Sequence, residues 1–210
     1  MLRPKLTDAE ALSALQSYDQ GDIAAHPWEG LRLDDPATSL AIVPLPAHIP
    51  ARDIDLVLQS PAQRGRWIND CAGLIEDSGT VFPEDFAHAL AHMIKDYDAF
   101  MRPELMCLRV EAVRGKACWK WHCDFTSLRL ICTLRGPGTQ YLPDPADEQH
   151  FCSIPAAHFG LFKGRDYSPG HIAVKHRSPP PGHDWNGDAW DVRLVVVLDA
   201  LDTQDIAAMT

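Results

Sequence analysis

The chain of 210 residues carries little that would mark a membrane or secreted protein. Its longest purely aliphatic run, Leu194 to Leu198, is far short of a bilayer span. No apolar leader core stands behind Met1-Leu2-Arg3-Pro4-Lys5, so no secretory signal is expected. The six cysteines (Cys71, Cys107, Cys118, Cys123, Cys132 and Cys152) include no Cys-x-x-Cys pair. Positive charge is scarce: 19 Lys and Arg stand against 29 Asp and Glu, a formal net charge of −10. Such a surface makes a poor general binder of nucleic acid or anionic membrane, because phosphate binding needs a positive surface. No internal repeat or low-complexity tract is present. With 46% hydrophobic and 23% charged residues the chain is not disordered, and its length suffices for a core without disulfide staples. These features predict a cytoplasmic globular protein with reduced thiols.

What is present divides in two. Residues 1–104 read as a mainly helical region. Thr7-Asp8-Ala9-Glu10 forms a capping box before Ala11–Tyr18. Five prolines (Pro27, Pro36, Pro44, Pro46, Pro50) predict a largely irregular stretch over 21–52. Helices are expected over Ser60–Asp77 and over Pro83–Met101, the latter with Phe86, Leu90, Met93, Ile94 and Tyr97 at helical spacing.

Residues 105–210 read as a β core packed with that region into one compact unit. Short apolar runs alternate with turns: Leu105–Val113, Cys118–Asp124, Leu128–Leu134, Thr139–Leu142, His150–Ile154, Phe159–Lys163, His171–His176 and Val192–Asp199. Arg114-Gly115-Lys116 and Gly136-Pro137-Gly138 are the turn signals. The expected class is α+β, with helices on a sandwich or barrel.

The sharpest local signal is Trp121-His122-Cys123-Asp124. On a strand, side chains alternate faces, so His122 and Asp124 point one way and Cys123 the other. An imidazole and a carboxylate so placed can grip one metal ion, and His176 would complete a facial triad with open coordination positions. The triad suits non-haem Fe(II), but also Zn(II), Mn(II) or Ni(II). Arg193 shares a face with Val195 and Val197 on the last strand. Facing an interior, it must meet an anion: a dicarboxylate co-substrate, or a protein acid such as Asp191. Arg129 and Lys163 are rival anion partners. Residues 109–135 hold six Lys or Arg against two acids, which favours a small anionic ligand near this segment.

His122-x-Asp124, the distal His176 and Arg193 together resemble the Fe(II)/2-oxoglutarate-dependent dioxygenase superfamily. The resemblance implies a double-stranded β-helix core flanked by helices. It also implies Fe(II) on the triad, 2-oxoglutarate as cofactor held by a basic residue, and a small-molecule or other substrate to hydroxylate. In that superfamily the basic residue follows the distal histidine by roughly ten positions. Here the gap is 17, and Pro179-Pro180-Pro181-Gly182 would absorb the excess. A tighter match is to the bacterial family named domain of unknown function 1826. It rests on Trp121-His122-x-Asp124, Leu128-Arg129-Leu130, Cys132-Thr133, Arg135-Gly136-Pro137-Gly138-Thr139, Phe162-Lys163-Gly164 and His176-Arg177-Ser178-Pro179-Pro180. That resemblance implies a link to zinc homeostasis. The rival reading is therefore a non-catalytic zinc site closed by Cys118 or His171 as fourth ligand. A third is a cupin-like isomerase or hydrolase, with Arg193 held by a protein carboxylate.

Other features carry bland readings. His88-Ala89-Leu90-Ala91-His92 places two histidines one helical turn apart without the glutamate of a metalloprotease motif, so surface histidines are expected. Trp119 and Trp121 are expected to pack against the helices. Trp185 and Trp190 flank a loop that either packs or lids the site. Gly136-Pro137-Gly138-Thr139 lacks the spacing of a phosphate loop.

Overall fold

A computed structural model of the chain describes residues 39–115, 117–155, 158–168, 173–180 and 191–201. The capping box near Thr7, His171 and the tryptophans Trp185 and Trp190 lie outside them.

The described elements are β1 (Leu40–Pro44), α1 (Ala51–Gln59), a 3-10 turn (Pro61–Gln63), β2 (Gly65–Asn69), α2 (Cys71–Val81), α3 (Glu84–Met101), β3 (Leu105–Val113), β4 (Leu128–Arg135), β5 (Gln140–Tyr141), β6 (Cys152–Ser153), β7 (His158–Lys163), β8 (His176–Arg177) and β9 (Arg193–Leu201). Six strands form one sheet in the order β1-β7-β4-β9-β3-β2, and three short ones form a second, β6-β5-β8. Every pairing is antiparallel. Helices and antiparallel sheet confirm the α+β class. No helix among the described residues is long and apolar enough to cross a membrane.

The large sheet is buried on both faces. On the outer face Leu194, Val196 and Leu198 of β9 join Leu128, Leu130 and Cys132 of β4 beneath Phe86, Leu90, Met93, Ile94 and Tyr97 of α3. Those α3 residues recur at the predicted helical spacing, each burial contributing about 1.5–3 kcal/mol. On the inner face Val195 and Val197 pack with Ile131, Phe162 and Ile154, and with Tyr141 from the small sheet. Period-two alternation thus sends β9 residues alternately to a helix-covered core and to the space between the sheets.

Three expectations need correction. The helix over Ser60–Asp77 begins only at Cys71, after the 3-10 turn and β2. Pro61 and Gly65 interrupt the helical pattern, β2 gains a full ladder with β3, and Asp70 caps α2 by accepting from the Gly73 amide at 2.8 Å. The stretch over 21–52 is not irregular throughout: Leu40–Pro44 is an edge strand on β7, where Pro44 is tolerated as the terminal residue. Finally, Cys118–Asp124 is not a strand. Only His122 pairs, as an isolated bridge to His176.

Candidate metal and anion site

His122 and His176 are brought together by backbone. Each donates its amide to the other's carbonyl oxygen, at 3.1 and 2.9 Å, so the two rings stand side by side with centroids 4.6 Å apart. Tyr141 of β5 pairs with His176 from the other side, and Phe162 packs its ring 4.6 Å from the His176 ring. Asp124 follows two residues after His122. Its carbonyl accepts from the Arg165 amide at 2.9 Å, while the Gly164 amide reaches Ser127, which ties this segment to the end of β7. A Cβ at Gly164 would collide with the Thr126 carbonyl, so glycine permits that approach.

One ligand atom from each of His122, Asp124 and His176 lies within 4.8 Å of the others. His176 Nε2 is 3.0 Å from Asp124 Oδ2, and His122 Nε2 is 3.7 Å from Oδ1. His122 Nδ1 lies 2.8 Å from the Lys120 carbonyl oxygen, an atom that only accepts. Nδ1 therefore holds a proton, and in a neutral ring Nε2 presents its lone pair to the carboxylate. Asp124 Oδ2 is buried and accepts no hydrogen bond. Two imidazole nitrogens beside one carboxylate make a donor set that fits a divalent cation of the imidazole- and oxygen-binding kind. Burial would raise the Asp124 carboxyl, but His176, then Arg129 and His122, outweigh it and hold it down to about 2.

Arg129 stands directly across from Asp199 in the β4–β9 ladder. It grips Asp199 with Nε at 2.6 Å and Nη2 at 2.9 Å, and reaches Asp124 Oδ1 with Nη1 at 2.7 Å. Arg109 adds a third contact to Asp199 at 3.3 Å. Arg129 is thus taken up by two carboxylates rather than open to a co-substrate. Lys163, at the end of β7, pairs across from Leu128 and shares the outer, helix-side face, with its ammonium 4.7 Å from the Tyr167 ring. It is not brought to the triad.

Arg193 is different. It is 1% exposed, on the inner face, and lines the same 140 Å³ cavity as the triad. Its donors meet only neutral oxygens: the Pro137 carbonyl (2.8 Å), Ser178 Oγ (2.8 Å), Thr133 Oγ1 (3.0 Å) and Thr139 Oγ1 (3.3 Å). Among the described residues no carboxylate pairs with it, Asp191 included. Burial alone pulls its pKa down to about 10, since no anion offsets the desolvation. The Gly136-Pro137-Gly138 turn is built for this contact. Gly136 has φ +81°, and a Cβ there would sit 2.9 Å from Arg193 Cγ.

Sequence reasoning missed Asp199, Thr133, Thr139 and Ser178. Asp199 had a readable signal, since it shares the parity of Arg193 along β9. Cys123 faces away and donates its thiol to the Ala173 carbonyl at 3.4 Å. Cys118 lines the cavity but its sulfur does not join the triad. Trp119 and Trp121 do not pack on the helices. Trp119 is 41% exposed, and Trp121 lies under the Arg177 guanidinium at 4.0 Å. A larger, more apolar cavity of 660 Å³ between β1 and the Gly136–Gly138 turn contains none of the triad.

A family model described as "Protein of unknown function (DUF1826)" matches residues 55–199. The chain belongs to this family. No curated protein matches it. Among solved structures, similar ones include the dioxygenase for auxin oxidation 1 from Arabidopsis thaliana in its 2-oxoglutarate complex. It shares 12% identity over 70% of this chain and 66% of that one, with a TM-score of 0.45. Neurospora crassa T7H with alpha-KG and 5-formyluracil shares 11% identity over 92% and 80%, with a TM-score of 0.47. A Pseudomonas putida prolyl-4-hydroxylase shares 14% over 77% and 96%, with a TM-score of 0.41. The chain spans less than two thirds of the Arabidopsis dioxygenase and 57% of its rice counterpart. At these levels of likeness, function has to be read from the site itself.

Proposed function

We propose that this DUF1826 protein is a metal-dependent oxygenase of the 2-oxoglutarate type, built on a double-stranded β-helix. The observation that carries the reading is Arg193: a guanidinium buried without a counter-ion, in one cavity with two histidines and a carboxylate. An unpaired buried charge is so unfavourable that a site retaining one is shaped for an anion that arrives from outside.

His122, Asp124 and His176 would hold Fe(II), leaving coordination positions open. With 2-oxoglutarate as co-substrate, Fe(II) held there would supply oxidising chemistry able to hydroxylate a nearby C–H bond. Arg193 takes the distal carboxylate of the co-substrate, and its donors are already oriented by Pro137, Thr133, Thr139 and Ser178. Phe162, Val195 and Val197 form the apolar wall that keeps water from the reacting atoms. Cys118, one of the two fourth ligands a closed zinc site would use, does not join the triad.

The test is anaerobic titration of metal-free protein with Fe(II) and then 2-oxoglutarate, following the visible metal-to-ligand charge-transfer band. A band that needs both components supports the proposal. No band, with tight Zn(II) that 2-oxoglutarate leaves unperturbed, would replace it with a zinc-binding scaffold.

A further inference from the structure

Arg129 joins two carboxylates that do different things. Asp199, directly opposite in the ladder, receives two of its nitrogens and fixes the plane of the guanidinium. The remaining nitrogen, Nη1, is then delivered to Asp124 Oδ1 at 2.7 Å. Only that oxygen is occupied. The other, Oδ2, is buried, accepts no hydrogen bond, and is the one nearest His176 Nε2 at 3.0 Å. A free aspartate can offer a metal either oxygen or both, so something must choose. A fork anchored on one carboxylate, with its third nitrogen on the next, makes that choice by geometry.

We propose that Arg129, clamped by Asp199, is a positioning residue that reserves Asp124 Oδ2 for the metal and blocks two-oxygen coordination through Oδ1. The inference rests on the reading of His122, Asp124 and His176 as a metal site. It assigns Arg129 a role other than co-substrate binding and brings Asp199, whose parity with Arg193 along β9 places it on the same face, into the site. Limiting Asp124 to one oxygen keeps a further coordination position free for exogenous ligands.

The experiment loads the full metal-free chain with Co(II), reading affinity by chelator competition and coordination number by the intensity of the visible d–d bands. The wild type is expected to bind one Co(II). Arg129→Gln should weaken it about 10–100-fold, the range for outer partners of metal ligands. Its d–d absorptivity should also drop, because the freed Oδ1 lets Asp124 bind through both oxygens and raises the coordination number. Arg129→Lys should recover part of the affinity, because it keeps the charge but loses the planar fork. If Arg129→Gln does not fold, the paired Arg129→Gln/Asp199→Asn variant removes opposite charges together and carries the same expectation. Wild-type affinity and an unchanged spectrum in these variants, even with a lowered melting temperature, would overturn the inference and leave Arg129 a structural ion pair. Failure of the wild type itself to bind Co(II) would instead bring down the metal-site reading on which it stands.

Discussion

Replacing Arg193 with methionine separates a binding role from a structural one. The side chain is 1% exposed and makes four hydrogen bonds, all to neutral oxygens. Losing them costs about 1 kcal/mol each, and somewhat more for the charged donor. Against this, removing an uncompensated buried charge in favour of an apolar side chain of similar length returns about 1–4 kcal/mol. About 4–6 kcal/mol lost against about 1–4 kcal/mol returned leaves the metal-free variant about 0–5 kcal/mol less stable, so it should melt no more than about 10–20 °C below the wild type. Ligand binding has no such offset. Four of the five guanidinium N–H groups are engaged, which leaves one on Nη1 for a carboxylate. A charge-assisted hydrogen bond is worth about 1.5–3 kcal/mol, which predicts about 10- to 150-fold weaker binding of 2-oxoglutarate. Calorimetry on Mn(II)-loaded protein reads the affinity, and titration of the metal alone should be unchanged. Unchanged 2-oxoglutarate affinity would refute the argument. A variant destabilised by more than about 5 kcal/mol with its ligand affinity intact would make Arg193 a structural residue.

His122→Ala or His176→Ala should abolish stoichiometric binding of Fe(II), Co(II) or Zn(II) by equilibrium dialysis, and full retained occupancy would exclude the triad. Tyr97→Phe tests the seam between helix layer and sheet. The buried hydroxyl donates to the Leu128 carbonyl at 2.7 Å and accepts from the Ala200 amide at 2.9 Å. Its loss strands one backbone group on each of two strands, costing about 1–3 kcal/mol in chemical denaturation, and a variant as stable as the wild type would contradict this account.

Much of this was legible because strands alternate strictly. Leu105–Val113 matches β3 at both ends, and the parity of Arg193 with Val195 and Val197 placed it on the inner face. His122-x-Asp124 was readable although its segment is not a strand, because His122 is bridged to His176 and the Asp124 carbonyl is held by the Arg165 amide. The strand β2 was hidden. Its five residues have no strong pattern, and what makes them a strand is the ladder to β3, a partner about 40 residues away. The role of Arg129 was hidden for the same reason. Its identity as a clamp depends on lying opposite Asp199, and register between distant strands is not written in either one.

The charges on the inner face of β3, β4 and β9, with Asp124, link the two proposed ligands. Arg109, Arg129 and Arg193 stand against Glu111, Asp199 and Asp124. Arg177 of β8 lines the same cavity, which makes four guanidinium groups to three carboxylates. A divalent cation alone would add two positive charges in a confined space, and a dicarboxylate alone would add two negative ones. Bound together they cancel, so each should strengthen the other, and linkage requires the same factor in both directions. An effective dielectric near 20 makes such charge terms worth a few kcal/mol at about 4–6 Å, enough for roughly 10- to 100-fold mutual enhancement. Part of that enhancement would come from direct chelation, and succinate, which lacks the keto group, isolates the charge contribution. Mn(II) should tighten succinate binding, and succinate should tighten Mn(II) by an equal factor. Independent binding of the two would show that the cavity does not sense net charge, and that Arg193 and the triad are not parts of one site.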